Sequence, residues 1–223
     1  MRGMDAGPGT DLGALGWFVG IWVTMTAAMM LPSAVPTALV YARTAGGRLE
    51  RTALFLAGYL VAWTVYGLVA YGLFRAVRAA APGFLAWDRG GPWIAGAALA
   101  AAGAYELTPL KGVCLRHCRS PLHFVLRGWR PGAAGAVRMG AVHGAYCVGC
   151  CSGLMLVLFA LGVMSLVWMA GVGALIFAQK VLPAGERLTR AFAVAFVAAG
   201  LWVAVAPASV PGLTQPQRGM MVR

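Results

Sequence analysis

His143, Cys147, Cys150 and Cys151 fall within nine residues of one another, in the stretch His143-Gly144-Ala145-Tyr146-Cys147-Val148-Gly149-Cys150-Cys151-Ser152-Gly153-Leu154-Met155. At about 100° per residue on a helix, His143, Cys147 and Cys150 share one narrow face and Cys151 sits at its edge. One imidazole and three thiols brought together in this way form a donor set for a soft transition metal, copper(I) first and zinc as the alternative, because thiolates select such ions. The surrounding residues are apolar enough for a membrane helix, where ligating groups face a bundle interior or a cavity.

A second donor group precedes it. Cys114, His117 and Cys118 lie between Pro109 and Pro121 in the longest polar connection of the chain, 108–137. Two thiols and an imidazole again suit zinc or copper(I), but structural zinc takes four ligands, so this group needs a second half. The opening stretch is the natural one, provided the connection folds back into the bundle, where irregular backbone must be buried in protein or line a cavity. Two further features are candidates. Met25 and Met29 stand one helical turn apart and offer two thioethers as a relay, although methionine also fills irregular space in cores. Glu106 ends an apolar run, where a carboxylate must be exposed, paired, protonated or metal-bound; it is a candidate ligand or proton acceptor, with pairing to Lys111 as the alternative.

The elements that carry these groups read as membrane helices. Of 223 residues, 61% are hydrophobic and 11% charged, and the apolar stretches are separated by short basic or Gly/Pro-rich turns. The expected fold is all-α and polytopic, one membrane domain over 1–223 with about six spans at 15–41, 52–77, 93–107, 138–159, 164–178 and 190–206. Pro32 and Pro36 each remove a backbone donor from the first span and should kink it. The aromatic residues of the second span, Tyr59 among them, read as scaffold suited to the headgroup region. A breaker-rich connection covers 81–92, a tight uncharged turn lies near 161–163, and a polar tail carries Met220 and Met221. Before the first span, Arg2, Asp5 and Asp11 do not make the charged start of a cleaved signal, so that span is expected to stay in the protein.

The formal charge of +12 does not point to nucleic acid, since the eighteen Lys and Arg lie almost wholly between apolar stretches, where they mark orientation and meet anionic lipid. With both termini outside, twelve of the eighteen fall on the inner side. That orientation puts 108–137 in the cytoplasm, where Cys114 and Cys118 are expected to be reduced. Cys147 then lies nine residues into its span, roughly 13 Å deep at helical rise.

Three groups of motifs together resemble a bacterial family of predicted metal-binding integral membrane proteins, a domain of unknown function. They are Met25-Thr26-Ala27-Ala28-Met29-Met30-Leu31-Pro32-Ser33 with Pro36; Tyr105-Glu106-Leu107-Thr108-Pro109-Leu110-Lys111 leading to Cys114 and Cys118-Arg119-Ser120-Pro121; and Gly144 with Cys147, Gly149-Cys150-Cys151 and Leu154-Met155. The resemblance implies a bacterial inner-membrane location and a metal site, but no established activity.

Three functions compete on the residues. The first is binding or transport of copper(I), with a metal-delivery protein as partner: weakly selective sites in series let an ion enter and leave. The second is a thiol-disulfide oxidoreductase, since Cys147 and Cys150 have two-residue spacing; Cys151 is surplus to a two-thiol mechanism and apolar burial opposes the thiolate it needs. The third is a scaffold subunit in which the cysteines only pack. Haem through His143 and a methionine has no attachment motif behind it. No catalytic residue is assigned.

Overall fold

The first stretch is apolar almost throughout, and the chain there is helical from Leu15 to Thr44 (α1); its buried positions recur every three or four residues, from Phe18, Trp22, Met25 and Met29 on to Tyr41. The helix runs through Pro32 and Pro36 without interruption. The computed structural model describes residues 13–80, 91–161, 166–182 and 185–206. Among these the chain is all-helical, continuing with α2 (Leu49–Ala80), α3 (Gly91–Glu106), α4 (Pro109–Arg119), α5 (Pro121–Gly128), α6 (Gly132–Leu161), α7 (Leu166–Val181) and α8 (Gly185–Val205). The N-terminal charges, nearly all of the 81–92 connection, most of the 161–163 turn and the tail with Met220 and Met221 lie outside the described residues.

The six expected spans correspond in place to α1, α2, α3, α6, α7 and α8. Among the described residues, three stretches qualify by length and composition for crossing a membrane: Leu15–Thr44, Leu49–Val77 and Arg187–Val205. At 16 residues each, α3 and α7 fall short of the roughly 20 that a crossing takes.

The connection 108–137 departs from the irregular loop its polarity predicts. It holds two helices, and both starts are written locally. Thr108 accepts a hydrogen bond from the Lys111 backbone N–H and Pro109 occupies the first turn, while Pro121 opens α5 in the same way. On α4 the buried residues are Lys111, Cys114, Leu115 and Cys118, the i, i+3, i+4, i+7 spacing of one helical face.

Helix α6 is the hub, packing against α2, α3, α4 and α7, while α3 also pairs with α8. Glycine sets how closely these pairs approach. A Cβ on Gly144 would lie 2.8 Å from Tyr59 O and 2.7 Å from Ala62 Cβ, and one on Gly140 would collide with the Phe55 carbonyl, so α2 and α6 meet backbone to backbone. Gly96 and Gly200 do the same for α3 and α8. Packing at this distance fixes the height of α6 relative to α2, and with it the depth of every donor on α6.

Candidate metal centre

Cys147, Cys150 and Cys151 project from consecutive turns of α6 into the core, and their sulfurs all lie within 4.8 Å of one another. Cys150 Sγ is 3.5 Å from Cys151 Sγ. It is also 3.7 Å from Cys118 Sγ, which α4 delivers by folding back over α6. All five cysteines are free thiols and all are buried. Three sulfurs each about 2.3 Å from a shared ion would sit about 4 Å apart, so the trio fits a bound soft ion with little movement.

The polar environment of Cys147 is unusual for an apolar core. Its sulfur shares a 2.9 Å hydrogen bond with Tyr59 Oη. Lys180 Nζ of α7 donates to the same sulfur at 2.9 Å and to Ser33 Oγ of α1 at 3.1 Å. Three helices, α2, α6 and α7, thus meet at one sulfur, with α1 joined to it through the lysine, and an ammonium beside the sulfur offsets negative charge there. Burial of a lysine is costly without such a partner.

Not every expected donor joins the sulfurs. His143 lies on the same α6 face but one turn away, where its ring packs among Phe55, Tyr59 and Phe124 at centroid distances of 6.0, 5.8 and 5.1 Å. Its Nδ1 is buried without a hydrogen-bond partner. His117 stacks on Tyr146 at 4.3 Å and its Nδ1 bonds the Val113 carbonyl at 2.9 Å. Cys114 packs over Gly149, where a Cβ would come within 2.6 Å of its sulfur, and stands outside the close trio. Met25 and Met29 are buried in the same apolar cluster as the cysteines. Their helix packs on α2, α5 and α7, and Met29 lies against Gly173 of α7.

Glu106 belongs to a separate network. Its Oε2 pairs with Lys111 Nζ, which also donates to Gln179 Oε1 at 3.0 Å, and Gln179 Nε2 donates back to Glu106 Oε2 at 3.0 Å. Glu106 Oε1 has no hydrogen-bond partner. Beside it, Tyr105 Oη donates to the Gly149 carbonyl, one residue before Cys150.

Residues that sequence reasoning passed over are Tyr59, Lys180 and Ser33. Tyr59 reads as an interfacial aromatic and Lys180 as an orientation charge; the signal against the latter is that Gln179-Lys180 follows the apolar run 173–178 directly, inside α7 and with no breaker between them. Comparison with known proteins adds one finding. The family model PpoB2, described as a copper chaperone, matches residues 19–203, which include all the donors named above. No curated protein and no solved structure matches the chain.

Proposed function

The chain belongs to the PpoB2 copper chaperone family, and from that premise we propose that it binds copper(I) as cargo at Cys147, Cys150 and Cys151, with Cys118 as a fourth sulfur, and hands it on within a membrane. The observation that carries this reading is the convergence of the three α6 sulfurs in a cluster that, among the described residues, neither a carboxylate nor an imidazole joins. An all-sulfur donor set favours copper(I) over harder ions. Lys180 and Tyr59 balance the charge at Cys147 before the metal arrives. His143, His117, Cys114 and Glu106 then support the site from outside the sulfurs, and Met25 and Met29 line the approach through the shared apolar core.

The location proposed is the bacterial inner membrane, in six spans with both termini outside and α4 on the cytoplasmic face, where a metal-delivery protein would exchange the ion. Exposed apolar side chains on outward faces support the lipid contact, among them Leu73 of α2 at 65% exposure and Val194 of α8 at 68%. Extraction of native membranes at alkaline pH tests it: the protein should stay in the pellet, and release into the supernatant would overturn the integral reading.

A second reading, thiol-disulfide exchange, draws on the 3.7 Å separation of Cys150 and Cys118. Metal stoichiometry against thiol titre separates the two. Copper(I) binding at one ion per cluster, with all five thiols titrating after the metal is stripped under reductant, supports the chaperone. A stable loss of two thiols in protein purified without reductant and devoid of copper supports exchange.

A further inference from the structure

Along the flank of α4 beside its cysteines, residues of α3, α4 and α8 border a cavity of about 890 Å³ that the copper reading does not use. Pockets for organic ligands run to about 300–1,000 Å³, so this one admits more than a bare ion. Its charge is one-sided. Lys111 and Glu106 line it but are paired with each other, and the guanidiniums of Arg116, Arg187 and Arg190 on the described lining stand towards its mouth. Arg119 is held in place by donating to the Leu182 carbonyl at 2.7 Å, while Arg116, Arg187 and Arg190 are exposed. Guanidinium groups present paired donors in a fork that matches phosphate oxygens.

The position of the cavity narrows the source of the phosphate. It opens where the apolar stretch Arg187–Val205 of α8 begins and where the apolar run of α3 ends at Glu106. Leu107, on its lining, is 59% exposed, and Leu110 beside it on α4 is 58% exposed. Cations at the end of membrane helices with uncovered leucines beside them form the pattern for an amphiphile, headgroup among the arginines and chains along the leucines. We infer that this cavity binds the phosphate group of an anionic phospholipid. The placement of the leucines against acyl chains rests on the membrane reading above; the phosphate chemistry does not.

The test uses the full chain in a charge-neutral detergent, with mixed micelles of dioleoyl-phosphatidylglycerol in dioleoyl-phosphatidylcholine and intact-complex mass spectrometry to count retained lipid. The variants are R116Q/R190Q, its charge-preserving counterpart R116K/R190K, and R43Q/R48Q, which removes two exposed arginines far from the cavity in sequence. At about 1 kcal/mol for each basic residue near a lipid surface, losing two should lower phosphatidylglycerol retention roughly 30-fold. R43Q/R48Q should retain wild-type levels and R116K/R190K an intermediate amount, with phosphatidylcholine released by all. Copper(I) titration of each variant checks its fold and should be unchanged. Equal phosphatidylglycerol retention by all four proteins, or equal retention of both lipids, would overturn the site. In a separate arm, inorganic phosphate is offered without lipid; saturation by phosphate with no preference for phosphatidylglycerol would overturn the lipid source.

Discussion

Two buried polar regions lie side by side in this molecule, and consecutive residues of α7 serve one each. Gln179 closes the Glu106–Lys111 network, and Lys180 reaches the sulfur of Cys147. In the first region hard groups satisfy one another: ammonium to carboxylate, ammonium to amide oxygen, amide nitrogen to carboxylate. Only Glu106 Oε1 is left over. In the second, thiols touch thiols, and S–H is a weak donor and sulfur a weak acceptor. An ion entering the first region would have to displace strong bonds, whereas one entering the second displaces weak ones. Burial of polar groups therefore does not by itself mark a metal site; unspent donor capacity does.

The sharpest way to break this contrast is Lys111→Met. Removing one member of a buried ion pair costs about 3–5 kcal/mol, so thermal unfolding in detergent should show a large loss of stability, most of it recovered in the E106Q/K111M double variant. Copper(I) affinity of the folded fraction should hardly change; a large drop would mean that the two regions act as one. Next in size, Cys147→Ser, Cys150→Ser and Cys151→Ser should each lower copper(I) affinity by about 100-fold or more, read by competition with a chromogenic chelator, with little change in unfolding temperature. Loss of a direct soft ligand should exceed the 10–100-fold typical of outer partners. Wild-type affinity in all three folded variants would leave the cysteines as packing residues.

Two smaller effects sharpen the boundary of the sulfur region. Cys118→Ser should weaken copper(I) by about 10- to 100-fold if the α4 sulfur joins the site, and an effect under about threefold would restrict the site to α6. Lys180→Met removes a fixed positive charge that opposes a divalent ion more than a monovalent one. The ratio of copper(I) to zinc affinity should therefore fall, by roughly tenfold, whatever happens to either affinity alone. An unchanged ratio would remove Lys180 from selectivity.

The α6 cluster was legible in the sequence because one helix carries all of it: spacing of 100° per residue fixes direction around an axis. The same rule grouped His143 with the cysteines, since direction says nothing of height, and one turn lower the ring meets Phe55 and Phe124 instead of sulfur. Lys180 was not legible as a neighbour of the cluster, standing 33 residues from its sulfur partner on another helix, and Cys118, 32 residues from its own, joins the cluster only on the condition that its connection folds back. The clue for Cys118 lay in the amphipathic spacing Lys111, Cys114, Leu115, Cys118 between two prolines, which describes a packed helix and not a loop. Glu106 and Lys111, five apart, would not meet on a continuous helix; the break at Leu107 and Thr108 turns α4 back and brings them together.

Tyr59 meets Cys147 across 88 residues of chain, and Lys180 follows Cys147 by 33. At about 5–20 residues per second, translation takes roughly 4–18 s to pass from the tyrosine to the cysteine and roughly 2–7 s more to reach the lysine. Residues leave the ribosome in the order they are joined, so α6 can lock onto α2 through Gly140 and Gly144 ahead of α7, and over an interval of that length its thiols have no ammonium beside them and no α7 over them. Each newly made molecule thus has a brief youth in which its sulfurs are assembled but uncovered, open to copper, to oxidants and to one another, before the last-made helices close over them.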